Sequence, residues 1–374
     1  MDSQKQAAVD RQEIIGTIIP RIKDICNRLM ENKWLFVDRY GNGAYNIRKN
    51  AGGSTMKLME KLYRKNLFIR NDNPNGIFYF SAADFEGLQS RGYSFASCMG
   101  HELKGQFYYY ENPAADRLVV FDHGMGNGHR AYMREIERLA RAGFLVFSYD
   151  HTGCMESGGE NTNGFAQSLK DLNDCITALK KEPTLSARSI CVVGHSWGGF
   201  STMNIAALHP DITHVVAMSG FISVRQILDQ TFAGPLKFAK KSLYELEKRS
   251  NPDFVEFDAV KTLSQTGAKV LLIASDNDAV VKKEFHYDVL HAALDGKENI
   301  HFLLTQNKGH NPSYTCDAVG YKDEFFATFQ KAVKKKKLET PQQQKAFMNT
   351  YDWYRMTEQD DAVWNVILTH LNQP

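Results

Sequence analysis

The six cysteines of this 374-residue chain include no C-x-x-C pair, so the spacing that metal ligands and redox dithiols need is missing. No stretch comes near the roughly 18 to 20 uninterrupted apolar residues of a membrane-spanning helix. Neither sign of charge is in marked excess. Lysine plus arginine total 45 against 43 acidic residues, a net of +2, which gives no electrostatic reason to expect nucleic acid or an anionic membrane as partner. The opening Met1-Asp2-Ser3-Gln4-Lys5-Gln6 shows no basic start followed by an apolar core, so a secretory signal is not expected from it. With scattered thiols, one of them (Cys191) inside an apolar run, the simplest expectation is a reduced, cytoplasmic protein.

What is present is core-forming sequence, 43% of it hydrophobic. Residues 9 to 30 carry Ile14, Ile18, Ile22, Ile25 and Leu29 at helical spacing, with Pro20 predicting a kink or break. A second helix is expected over Thr55 to Lys65, with Met56, Met59, Leu62 and Tyr63 on one side. From about Tyr93 the rhythm changes to strands. Tyr93 to Met99 and Leu103 to Tyr110 read as a hairpin. Short apolar runs then alternate with helical stretches: strands at Leu118 to Phe121, Phe144 to Tyr149, Ser189 to Val193, Val215 to Met218, Lys269 to Ala274 and Ile300 to Leu304. Helices are expected at Tyr132 to Ala142, Phe165 to Lys180, Lys283 to Leu294 and Asp361 to Leu371. This alternation predicts an α/β protein with a mostly parallel central sheet covered by helices on both faces. The division expected is an N-terminal helical appendage at 1–90 and a main domain at 91–374, with a helical insertion at about 221–266. Lys334 to Lys337 reads as a solvated helix end, and Trp353 and Trp364 as packing residues.

The chemistry is concentrated at Gly194-His195-Ser196-Trp197-Gly198-Gly199. The apolar run Ser189 to Val193 precedes it and a helical stretch follows. In that strand–turn–helix context G-x-S-x-G is a nucleophile elbow, which holds a strained serine at a helix N-terminus. A serine hydroxyl needs a base and the base needs an orienting acid, expected at strand ends in the order serine, acid, histidine. The strand at Ile300 runs into Gly309-His310, which makes His310 the base candidate. His195 is held within the elbow, His123 belongs to a glycine turn, and His286 and His291 fall inside an expected helix. Asp276 and Asp278 both follow the strand at Lys269 and both remain candidates for the acid, with Asp278 preferred. An oxyanion hole needs two N–H donors. Trp197 can supply one, and the loop Asp122-His123-Gly124-Met125-Gly126-Asn127-Gly128 the other. That loop has neither GxGxxG nor Walker spacing, so a phosphate cradle is not indicated.

Taken together, His123-Gly124-Met125-Gly126, Asp150-His151-Thr152-Gly153 with Ser157-Gly158, the elbow, Asp278 and Gly309-His310 resemble the α/β-hydrolases. The similarity is to their monoacylglycerol-lipase and serine-aminopeptidase-like branch, which includes bacterial esterases. It covers about residues 93 to 330. The resemblance implies the α/β-hydrolase fold, with Ser196 as nucleophile, Asp278 as acid, His310 as base, and Met125 and Trp197 as oxyanion donors. It also implies a cap between Gly220 and about Thr266, rich here in Phe221, Ile227, Leu228, Phe232 and Phe254. One position departs from the pattern: Met155 stands where the family's D-x-x-G-x-G-x-S loop has its second glycine. The expected activity is hydrolysis of a small-molecule acyl ester without metal or organic cofactor, with His123, Gly124, Phe221 and Phe232 as candidate substrate contacts. A peptide or amide substrate is the alternative, with Glu245, Glu247, Asp253 and Glu256 available to anchor a free terminus. A non-catalytic binding role is the third reading.

Overall fold

The structure is a computed structural model and describes residues 52–72, 80–113, 116–126 and 128–374. The helix expected at 9–30 lies outside the described residues. The second one is α1 (Gly52–Leu67), whose Met59, Tyr63 and Leu67 are buried.

The hairpin forms as β1 (Gln89–Ala96) and β2 (Glu102–Tyr109), paired antiparallel. The later strands are β3 (Arg117–Asp122), β4 (Leu145–Tyr149), β5 (Ser189–His195), β6 (His214–Met218), β7 (Lys269–Ser275) and β8 (Ile300–Thr305). They build one eight-stranded sheet in the order β1-β2-β4-β3-β5-β6-β7-β8. β2 joins β4 antiparallel, and every pairing from β4 across to β8 is parallel. The short apolar runs are explained by burial on both faces. Leu118 and Val120 face one core cluster while Val119 and Phe121 face another, and Val192 alternates in the same way with Cys191 and Val193.

The first cluster also takes side chains from α1, α3 (Gln167–Leu179) and α4 (Trp197–Asn204), following α2 (Met133–Arg141) in the chain. Between β6 and β7 come α5 (Val224–Thr231), α6 (Lys240–Ser250) and α7 (Ala259–Gln265), and they join the same cluster. After β7 comes α8 (Tyr287–Leu294). The opposite face is covered by α2 and by the C-terminal helix. Beyond β8 lie α9 (Cys316–Lys334), α10 (Pro341–Met348), α11 (Trp353–Met356) and α12 (Asp361–Leu371). The mostly parallel sheet with helices on both faces is therefore as expected.

Two differences have local causes. The helix expected at 283–294 is split into a 3-10 turn at Lys283–Phe285 and α8, because His286 has non-helical backbone (φ −128°, ψ −70°) and turns its ring inward to accept from Ile222 N–H. Helices α9 to α11 were not expected. They bury a small core of Phe325, Phe329, Leu338, Met348 and Met356, apart from the sheet. The lysine run 334–337 is exposed at the end of α9, and Trp364 is fully buried.

Candidate active site

Ser196 occupies the turn from β5 into α4 with φ 58° and ψ −111°, the left-handed backbone of an elbow. Its N–H is fixed to Met218 O at 2.9 Å on the neighbouring strand. The glycine after Trp197 is dictated by space: a Cβ at Gly198 would stand 2.0 Å from Asp122 O at the end of β3. The elbow helix thus packs backbone against backbone on the strand that leads into the glycine loop.

The loops after β7 and β8 bring Asp278 and His310 to this serine. His310 Nε2 lies 2.9 Å from Ser196 Oγ, and Nδ1 lies 2.8 Å from Asp278 Oδ2. Asp278 Oδ1 accepts from the N–H groups of Val280 at 2.8 Å and Val281 at 3.0 Å. Burial alone would raise the Asp278 carboxyl. The adjacent His310 and the bonds from its ring and from the backbone outweigh that and hold the group below its ordinary value. An ionised Asp278 requires a proton on Nδ1, which leaves the Nε2 lone pair facing the serine hydroxyl. Asp276 has a different job. It is exposed and accepts from Asn307 N–H at 2.8 Å, while Asn277 accepts from Gly309 N–H at 2.8 Å, so the pair ties the two loops together.

The glycine loop passes directly beside the serine. A Cβ on Gly124 would come 3.5 Å from Ser196 Cβ, and Met125 is buried next to it. Trp197 is the first residue of α4, where an N–H has no acceptor within its own helix. Beneath the loop, His151 is enclosed by two carboxylates, with Nε2 2.9 Å from Asp122 Oδ1 and Nδ1 3.3 Å from Asp171 Oδ2. Burial would strip its proton, but the two acids outweigh burial and push it up to about 9. At Met155 the missing glycine leaves a side-chain-bearing residue at φ 44°. Its backbone is pinned by Met155 N–H to Asn71 O at 2.9 Å and by Arg70 Nη2 to Met155 O at 2.7 Å. Arg70 Nη1 also donates to Ser157 O at 2.9 Å and Gly159 O at 2.7 Å, so the segment after α1 clamps the loop around Met155.

Residues 113–308, just over half of the chain, match the family described as Serine aminopeptidase, S33. The chain belongs to that family. It is also similar to a monoacylglycerol lipase of Mycolicibacterium smegmatis, 30% identical over 111 residues, which are 28% of this chain and 37% of the relative. A monoglyceride lipase homolog of monkeypox virus is 28% identical over 109 residues, 28% of this chain and 39% of the relative. The chain thus spans about two fifths of the length of these curated relatives. An esterase structure from Pyrococcus furiosus superposes with a TM-score of 0.51 at 18% identity, covering 76% of this chain and 99% of that one, a likeness of fold. The sheet described above is accordingly an α/β-hydrolase sheet.

Within this S33 chain the expected substrate contacts are not alike. His123 is fully buried with both nitrogens engaged: Nδ1 lies 2.7 Å from Gly124 O, and Nε2 accepts from His151 N–H at 3.0 Å. It shapes the loop and has no nitrogen left for a ligand. Phe221 stacks on Phe200 at 4.7 Å and an interplanar angle of 6°, and Phe232 packs against Tyr63 at 6.3 Å. Both are buried. Of the four acidic residues available to anchor a terminus, Glu247 is buried and accepts from Tyr63 O–H at 2.6 Å and Phe165 N–H at 2.9 Å. Glu256 faces Lys248 at 3.3 Å and Arg225 at 3.8 Å, and Glu245 and Asp253 are exposed. Among the described residues, no helix is long and apolar enough to cross a membrane. Two elements of the site were not anticipated: the carboxylate pair around His151, and Tyr132, whose hydroxyl reaches both Gly124 and His195. Their members lie up to 63 residues apart, so no local pattern could reveal them.

Proposed function

We propose that this protein is a serine hydrolase that cleaves carboxylic esters by acyl transfer. The observation that carries the reading is the continuous line Asp278 Oδ2–His310 Nδ1 at 2.8 Å and His310 Nε2–Ser196 Oγ at 2.9 Å, ending on a serine in strained elbow geometry. In this reading His310 takes the Ser196 proton as Oγ attacks the ester carbonyl, and Asp278 stabilises the imidazolium and keeps its tautomer. The N–H groups of Met125 and Trp197 receive the oxyanion of the tetrahedral intermediate. His310 then protonates the leaving alcohol, and water, activated by the same imidazole, releases the acid from the acyl-Ser196 ester. All charges are handled by this chain's own groups.

An ester is preferred to a peptide for two reasons. One relative named above is a monoacylglycerol lipase and the other a monoglyceride lipase homolog by description, and the one deeply buried acid in the cap segment, Glu247, is committed to Tyr63 and Phe165. The family description favours the amide alternative. The reading also divides the chain into an N-terminal part at 1–90 and a hydrolase domain at 91–374, with residues 221–266 as the cap over the site. The Tyr63–Glu247 bond would then join the N-terminal part to the cap. The test is parallel turnover of a short-chain p-nitrophenyl ester and an aminoacyl-p-nitroanilide. The proposal expects ester turnover that Ser196→Ala abolishes. Turnover of the anilide alone would transfer the assignment to a peptidase.

A further inference from the structure

His195 directly precedes the elbow serine, and both of its ring nitrogens are committed. Nε2 lies 2.6 Å from the backbone oxygen of His310, and Nδ1 lies 2.9 Å from the Tyr132 hydroxyl. The directions of these bonds follow from elementary chemistry. A carbonyl oxygen only accepts, so Nε2 carries the N–H. Burial, reinforced by the nearby His310, pushes His195 down to about 3, so the ring is neutral and Nδ1 is a lone pair. The Tyr132 hydroxyl must therefore donate to Nδ1, and its oxygen accepts the Gly124 N–H at 3.1 Å. One directed chain results: Gly124 N–H to Tyr132 O–H to His195, and His195 N–H to His310 C=O.

This chain ties together three segments that the proposed chemistry needs in register. Gly124 precedes Met125 in the loop after β3, His195 precedes Ser196, and His310 sits in the loop after β8. The Tyr132 hydroxyl leaves room only for glycine at 124, since a Cβ there would meet it at 2.4 Å. His310 follows Gly309 at φ 53°, in a loop whose conformation backbone sterics do not fix by themselves. Binding its carbonyl to the residue next to the nucleophile refers base and nucleophile to one rigid point. A hydroxyl and an imidazole used only to fill space would not be oriented in this way.

We propose that Tyr132 and His195 are positioning residues, which hold the general base and the oxyanion loop at a fixed separation around Ser196. The inference rests on the hydrolase reading above. Neither residue touches substrate; they act through Gly124 and His310.

The experiment is ester turnover across pH 5.5 to 9 with wild type, Ser196→Ala, Tyr132→Phe, His195→Ala, His195→Gln and the Tyr132→Phe/His195→Ala double variant, each with a thermal melt. Tyr132→Phe keeps the ring packing and removes only the hydroxyl. The expected result is a loss in kcat of about tenfold or more for Tyr132→Phe and for His195→Ala, with KM within about twofold and a displaced limb in the kcat/KM–pH profile. The double variant should lose no more than the worse single one, because both break the same chain. His195→Gln, which can donate from the ε position, should recover part of the His195→Ala loss. Wild-type kcat and pH profile in Tyr132→Phe, or fully additive losses in the double variant, overturn the inference while leaving the hydrolase reading intact. So do losses that merely follow the melting temperature. A wild type that turns over no ester, or a Ser196→Ala that keeps turnover, overturns the hydrolase reading, and this inference with it.

Discussion

Glu247 makes the stability of this fold depend on pH, independently of catalysis. Its side chain is buried in α6, where Oε1 accepts from Tyr63 O–H and Oε2 from Phe165 N–H. Burial raises the carboxyl from 4.5 to about 7 against the opposing effects of these two bonds and of Arg64. The folded protein therefore binds this proton more tightly than the unfolded chain. Below about pH 4.5 both states are protonated and the site adds its full stability; between 4.5 and 7 that stability is lost as pH rises. At about 1.4 kcal/mol per pH unit, the loss amounts to about 3 kcal/mol by pH 8. Glu247→Gln removes the ionisation while keeping both contacts, since the amide oxygen can accept from Phe165 and the amide N–H can donate to the Tyr63 oxygen. Urea unfolding at pH 5 and pH 8, followed by tryptophan fluorescence, measures the gap between variant and wild type. The gap should be near zero at pH 5 and favour the variant by up to about 3 kcal/mol at pH 8. A gap of the same size at both pH values would mean that Glu247 does not change its proton binding on folding.

Asp278→Asn should lower kcat by a factor on the order of 10³ to 10⁴ by upsetting the His310 tautomer, whereas Asp276→Asn should change it by less than about threefold, as steady-state kinetics would show. Gly198→Ala should prevent formation of the native elbow, because its Cβ would stand 2.0 Å from Asp122 O; expression as aggregate or a melting temperature lowered by about 5 °C or more is the expected readout. In acid, His123, His195 and His286 are held down to about 3 and His214 and His370 to about 4 by burial. Each is neutral in the fold but takes a proton near 6.5 when unfolded, so these groups withdraw stability as pH falls from about 6.5, the last two down to about 4 and the first three down to about 3. His370→Gln, which removes one of these groups, should soften that decline in a thermal melt series over the same range.

The parts of this fold that sequence disclosed are those where one physical demand acts on consecutive residues. Strands β3, β5, β6 and β7 are buried on both faces and read as apolar runs, and α12 begins at the expected Asp361 because Asp360 caps it through the N–H groups of Ala362 and Val363. The elbow was legible because its glycines answer a local steric need. Helices α9 to α11 were not, since few of their apolar residues are fully buried and charges interrupt the pattern. The meeting of Ser196 with His310 spans 114 residues and followed from chain order, while choosing between Asp276 and Asp278 required side-chain directions that two closely spaced acids do not declare. Tyr132 and the carboxylates around His151 escaped notice because they are assembled only by tertiary packing.

Everything proposed for this site depends on Ser196 being the nucleophile. Reaction with a fluorophosphonate, followed by peptide mass spectrometry, addresses it directly. One phosphonyl adduct is expected, on the peptide bearing Ser196, formed at a rate that His310→Ala reduces by about 10³ or more. An unmodified Ser196 in a protein that turns over esters, or an adduct on another residue that persists in Ser196→Ala, would contradict it.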